Sequence, residues 1–189
     1  MSNETTMSNQ YTTSLHPPPG PTPLSLTSTN PPILNDALAI RLKVFVNEQN
    51  CSAATEIDSD DSLSWHWVLY SGTTAVGTIR LVPPHANHHQ KGEGEAHEPC
   101  IKLTRVAIMP EYRGLGLGRR LVETALGWAV DGGRGEMEMV GWRGLVLVHA
   151  QVGVEGMYGR LGFVVDEGLG RWDEEGIEHC GMFKRLELD

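Results

Sequence analysis

The chain of 189 residues is long enough for one domain with a sizeable core plus tails, and its 40% hydrophobic and 21% charged residues are an ordinary globular composition. A formal net charge of -9 argues against general nucleic-acid binding, which draws its affinity from Lys and Arg on phosphates, and suits a neutral or cationic partner. No apolar run reaches the ~20 residues of a membrane span, and the N-terminus has neither a basic nor an apolar signal region, so a soluble cytoplasmic protein is expected.

Residues 1–23 are rich in Ser, Thr, Asn and Pro and bury too little apolar surface to offset their ordering entropy, so they are expected to form a disordered tail. The folded domain is then expected over 24–189, with a first short strand at Leu24 to Thr27. Leu34, Ala37, Leu38, Arg41, Val44 and Phe45 recur at i, i+3, i+4 spacing, which predicts a helix from Pro32 to about Gln49. Glu56, Asp58, Asp60 and Asp61 make an acidic loop, read as a solvated connection. Trp65 to Tyr70 and Thr74 to Val82 are strand-like and joined by Ser71-Gly72-Thr73, a hairpin signal.

Pro83 to Pro99 carries His85, His88, His89 and His97 among prolines and glycines, and reads as a surface insertion rather than a metal site because no ligand register repeats. Cys51, Cys100 and Cys180 are far apart and odd in number, which fits neither a disulfide framework nor a zinc site, so no metal is expected. Ile101 to Met109 alternates as a strand. Leu115 to Val130 follows as a helix buried through Leu117, Leu121, Ala125 and Trp128 or Ala129. After a glycine-rich loop, Leu145 to Ala150 is a nearly continuous apolar run, the mark of a strand covered on both faces. A short helix near Val154 to Leu161, a strand at Phe163 to Val165 and a last strand from about Glu178 to Arg185 complete the order β-α-β-β-β-α-β-α-β-β. This is an α/β (α+β) domain with a mixed sheet.

Between strand and helix stands Pro110-Glu111-Tyr112-Arg113-Gly114-Leu115-Gly116-Leu117-Gly118-Arg119. Alternating glycines let the backbone approach a ligand, the helix start directs N–H groups at the same spot, and the arginines add positive charge. This is an anion cradle. A dinucleotide fingerprint would need glycine where Arg119 stands, and no Walker sequence occurs.

The element order and this cradle resemble the GNAT superfamily of acyl-CoA-dependent N-acyltransferases, whose signature is matched by Arg113, Gly116 and Gly118 and, downstream, by Tyr158 to Phe163. Arg41 with Val44 to Gln49, Glu56, Asp58, Asp61, His66, Gly77 to Leu81, Arg105 to Ile108, Ala150-Gln151 and Glu175 to His179 are similar to the ElaA-like branch. The resemblance implies a mostly antiparallel central sheet with one splayed strand pair, flanked by helices. It also implies acetyl-CoA as co-substrate, with its diphosphate on Arg113, Gly114, Leu115, Gly116, Leu117, Gly118 and Arg119 and its pantetheine along Val106, Ala107 and Ile108.

The implied reaction is direct attack of a neutral amine on the thioester, with an amide at or near Ile108 for the oxyanion and Tyr158 for the departing thiolate. Glu48 and His179 are the leading candidates for base or amine anchor, with His149 and the Glu56 to Asp61 loop as further ones; otherwise Glu48 pairs with Arg41 or Arg80, and His149 is a core histidine. The expected acceptor is a primary amine of a small molecule: an amino sugar, polyamine, amino acid or aryl amine. The alternatives are acetylation of a protein Lys or N-terminus, and a non-catalytic acyl-CoA sensor. Exposed edge strands suit pairing into a homodimer, which the sequence does not decide.

Overall fold

Tyr11–His16 (β1) is the first strand of the computed structural model, which describes residues 10–20, 30–84, 98–135 and 141–188. It lies inside the segment expected to be a disordered tail, and the expectation fails there for a physical reason. β1 pairs antiparallel with Trp65–Ser71 (β2) from Tyr11↔Ser71 to His16↔His66, so its polar Thr-Thr-Ser run is ordered by backbone pairing rather than by side-chain burial. Only Tyr11 at its start is buried. The strand expected at Leu24 to Thr27 and the four histidines from His85 to His97 lie outside the described residues.

The chain forms two compact units, one of Met1–Arg80 with Arg105–Val122, the other of Leu81–Thr104 with Glu123–Asp189. In unit 1, Pro32–Arg41 (α1) starts with a proline, where the missing N–H costs nothing, and buries Leu34, Ala37, Leu38 and Ile40. The predicted helix continues to Glu48, but Leu42–Glu48 is wound as a π-helix. Ala53–Glu56 (α2) and a 3-10 turn at Ser59–Leu63 follow. β2 turns through Gly72, at φ 60°, into Thr74–Val82 (β3), as the hairpin signal predicts.

The strand neighbours in unit 1 run β1-β2-β3 and on to the C-terminal half of Ile101–Ile108 (β4). Ala37, Ile40, Val44, Val68 and Ala107 form a buried cluster that seats α1 and the π-helix on this sheet. Gly77 on β3 packs closely against the end of β4. A Cβ there would stand 3.2 Å from the Ala107 carbonyl and 2.5 Å from Ile108 Cδ1.

In unit 2 the N-terminal half of β4 pairs parallel with Leu145–Gln151 (β5), in register from Ile101↔Val146 to Leu103↔Val148. β5 pairs antiparallel with Ile177–Arg185 (β8), which also pairs with Val164–Val165 (β6) and Arg171–Glu174 (β7). Val146, Leu147, Val148 and Ala150 are all buried, consistent with a strand covered on both faces. β7 has no counterpart in the predicted order. It turns into β8 through Glu175 and Gly176, both at positive φ (54° and 83°), a conformation that Glu-Gly signals less clearly than Asn-Gly.

Leu117–Asp131 (α3) and Glu155–Arg160 (α4) are the remaining helices, α3 with its residues divided between the two units. α3 buries Leu117, Leu121, Ala125 and Ala129 as expected, together with Val122 and Leu126. Trp128 is only half-buried, and its indole lies against Gly133, where a Cβ would come within 2.3 Å. The domain is therefore a mixed α/β fold with a mostly antiparallel sheet flanked by helices.

Candidate active site

The cradle lies in unit 1. Val106, Ala107 and Ile108 end β4, Met109 N–H donates to Val76 O at 2.9 Å, and Pro110–Tyr112 makes a 3-10 turn that leads into Arg113. Gly114 and Gly116 then adopt φ 75° and 74°, and a Cβ at either would meet nothing within 4 Å. Glycine is needed there for conformation, not for lack of room, and the space above the backbone is open. Leu115 is exposed and Leu117 buried, so the loop alternates between solvent and core. Gly118 and Arg119 lie in the first turn of α3, where helix geometry provides no intrahelical acceptor for the leading N–H groups. Gly116, just before α3, has no side chain to cap them.

Arg113 reaches back across this loop. Its Nε donates to Ile108 O at 3.0 Å, and its two Nη atoms donate to Glu48 Oε1 and Oε2 at 2.6 and 2.7 Å. Two residues with separate expected roles, an anion-binding arginine and a candidate base, are thus joined. The Arg113 hydrogen bond lowers the Glu48 pKa, so this carboxylate is a weaker base than a solvated one. Glu48 does not take Arg41 or Arg80, because those two are committed elsewhere. Arg120, one turn into α3, donates to Tyr11 O at 2.8 Å and so ties β1 to the helix.

The acidic loop is not a solvated connection. Asp58 and Asp61 cap each other's backbone around the Ser59–Leu63 turn, which sets both carboxylates side by side. Asp61 then accepts from Arg41 Nη1 and Arg80 Nη1, each at 2.7 Å, while Arg41 Nε donates to Glu56 at 2.6 Å and Arg80 Nη1 to Asp58 at 2.6 Å. Arg105 closes the set through Asp58 Oδ2 at 3.1 Å and the carbonyls of Thr55 and Glu56. Three guanidiniums face three carboxylates, and Arg41, Arg80, Glu56 and Asp61 are all buried.

Burial alone would raise the Asp61 carboxyl, but the Arg41 hydrogen bond and the charges of Arg80 and Arg41 outweigh it and hold it far below the carboxylate range. His66 stands behind Asp61 with Nε2 2.9 Å from the Asp61 carbonyl. That oxygen can only accept, so Nε2 bears the proton. Burial lowers the His66 pKa to about 4.

Tyr158 and His179 belong to unit 2. Tyr158 is buried on α4, its ring edge-on to Phe163 at 5.6 Å, and burial raises its pKa. Among the described residues its hydroxyl has no hydrogen-bond partner. A buried hydroxyl without a partner carries a desolvation penalty that a bound group can relieve. His179 lies opposite Trp172 on β7 and Gln151 on β5. Its Nδ1 donates to Ile177 O at 2.8 Å, which leaves the Nε2 lone pair as the accepting position of the neutral ring.

Trp172 stacks on His179 at 6.2 Å and makes a T-shaped contact with His149 at 4.8 Å, so His149 belongs to an aromatic cluster on a half-buried face rather than to a closed core. Sequence reasoning missed Trp172, because β7 itself was missed. Cys180, buried on the opposite face of β8, donates to Glu155 Oε2 at 3.8 Å, and burial raises its thiol. No helix among the described residues is long and apolar enough to cross a membrane.

Comparison with known proteins gives the family and the fold. Residues 35–163 match the family described as Acetyltransferase (GNAT) family. The protein YyaT of Bacillus subtilis (strain 168) is 30% identical over 158 residues, 81% of this chain and 89% of its own. Among solved structures, an acyl-CoA N-acyltransferase from Pseudomonas aeruginosa superposes with a TM-score of 0.65 at 27% identity, covering 92% of this chain and 99% of its own. Escherichia coli ElaA superposes with a TM-score of 0.61 over 93% of this chain and 99% of its own, and at 22% identity that likeness is one of fold.

Proposed function

Because the chain belongs to the acetyltransferase (GNAT) family, we propose that it transfers an acetyl group from acetyl-CoA to a primary amine of a small molecule. The cradle carries this reading: two glycines at positive φ with open space above them, a helix start preceded by the side-chain-less Gly116, and Arg113 at its lip. That set of groups suits a diphosphate. The adjoining Val106 to Ile108 strand suits the amide-rich pantetheine arm, and the Pseudomonas aeruginosa relative, named an acyl-CoA N-acyltransferase, supports the donor class.

In the proposed reaction the amine nitrogen attacks the thioester carbonyl carbon. The new C–N bond forms as the C–S bond breaks, the amine loses a proton, and the thiolate gains one. An amide at or near Ile108 serves the developing oxyanion. Tyr158 serves the leaving sulfur; its raised pKa keeps it a protonated hydrogen-bond donor. His179, whose Nδ1 bond to Ile177 O leaves Nε2 as the accepting nitrogen, serves as base or amine anchor, and Glu48, held by Arg113 before the donor binds, is the other candidate. The net charge of -9 favours acceptors that approach as cations, as amines do.

The test is release of CoA thiol from acetyl-CoA over a panel of amino sugars, polyamines, amino acids and aryl amines, with basic peptides in parallel. Release with a small amine supports the proposal. Release with peptides alone transfers the activity to protein Lys or N-termini. CoA binding without release from any acceptor makes the protein a sensor.

A further inference from the structure

Arg113, the arginine of the cradle, already holds an anion. Its two Nη atoms meet both oxygens of Glu48 at 2.6 and 2.7 Å, the end-on bidentate arrangement that a guanidinium also offers to phosphate. The side-on edge is engaged as well, because Nε donates to Ile108 O at 3.0 Å. Neither bidentate edge is open to a diphosphate while Glu48 stays in place.

The pair is nevertheless built to part. The two side chains are 42% and 37% exposed, so water can replace either partner. Glu48 is also the last residue of the π-helix Leu42–Glu48, the end at which backbone carbonyls disfavour a negative charge. The carboxylate stays there because Arg113 reaches it, not because the helix favours it.

We propose that Glu48 is an internal competitor for the donor's diphosphate: it occupies the fork of Arg113 that the diphosphate takes, and acyl-CoA binding displaces it. The proposal rests on the donor reading given above. It makes Glu48 a determinant of donor affinity, keeping the cradle charge-compensated when empty and returning to Arg113 as CoA leaves. It also separates phosphate-bearing from phosphate-free ligands, since pantetheine has nothing to exchange for Glu48.

Titration calorimetry of the full chain with CoA and with pantetheine, on wild type, Glu48→Gln, Arg113→Ala and the double variant, tests it. Glu48→Gln is isosteric at an exposed position, so folding is not at issue. The expected result is CoA binding about two- to fivefold tighter in Glu48→Gln, the range of an exposed ion pair, with pantetheine unchanged. In the Arg113→Ala background Glu48→Gln is expected to give no further gain, because the competition acts through Arg113.

Three results overturn the proposal while leaving the donor reading intact. They are no tightening in Glu48→Gln, equal tightening of pantetheine, and tightening that persists without Arg113, which would assign the effect to general charge. Wild type that does not bind CoA overturns the donor reading and the competition together.

Discussion

Arg80 Nη1 and Asp61 Oδ1 meet at 2.7 Å with side chains 3% and 0% exposed, and Arg41 reaches the same oxygen at the same distance. A carboxylate shared by two buried guanidiniums is stable only while its charge is present. Asp61→Asn keeps the shape and removes the charge, leaving two cations in the interior with half their compensation. The expected cost is about 3–5 kcal/mol in urea unfolding, set by the uncompensated charge rather than by lost packing. A cost below about 1 kcal/mol would mean that Glu56 and Asp58 suffice for both arginines.

His66 makes the same region sensitive to acid. Burial depresses its pKa to about 4 from an ordinary 6.5. Above pH ~6.5 both folded and unfolded forms are neutral at this ring and it contributes no pH dependence. As pH falls from there, the unfolded chain takes up a proton that the folded one refuses, so stability declines down to about pH 4 and by at most about 3 kcal/mol. Thermal unfolding between pH 7 and 4 is expected to show this slope in the wild type and a flatter one in His66→Gln. An identical slope in the variant would place the acid sensitivity in other groups.

Arg105 sits within β4 at φ 53°, a left-handed conformation that L-residues with a Cβ rarely adopt. Its side chain compensates by binding the Thr55 and Glu56 carbonyls and Asp58, which tie the strand to the acidic loop. Arg105→Ala loses these ties and keeps the strain, whereas Arg105→Gly loses the ties and relieves it. Both variants should be less stable than wild type, with the glycine variant the more stable of the two by about 1 kcal/mol. That order is the reverse of the usual preference for Ala over Gly, and the ordinary order in urea titrations would show that the φ of Arg105 is not maintained.

The parts legible in the sequence are those with local signals. The 3.6-residue period of α1 and α3, the Gly72 turn and the Gly114-x-Gly116 run each declare themselves within a few residues, and the cradle follows from them. The buried ionic network does not. An acidic run reads as solvated, and its partners lie 15 to 49 residues away on other elements, so the burial of Glu56 and Asp61 depends on tertiary pairing. β1 is hidden for a similar reason, since its register against β2 and not its own polar sequence makes it a strand. The pairing of Glu48 with Arg113 required knowing that the π-helix end and the cradle meet, across 65 residues.

Tyr158 offers the clearest separation of chemistry from packing. Its ring is buried against Phe163 at 5.6 Å, and among the described residues its hydroxyl makes no hydrogen bond. Tyr158→Phe therefore preserves the edge-to-face contact and removes a buried polar atom that contributes nothing to the fold, so the melting temperature should hold or rise slightly. If the hydroxyl assists the leaving thiolate, turnover of acetyl-CoA should fall by about 10²-fold or more while the KM for acetyl-CoA stays near that of wild type. A loss of the interaction only in the transition state lowers kcat and kcat/KM together, whereas a packing defect would lower stability and donor affinity first. Steady-state kinetics and thermal unfolding on the same preparation distinguish these outcomes, and unchanged turnover in Tyr158→Phe would remove Tyr158 from the chemistry.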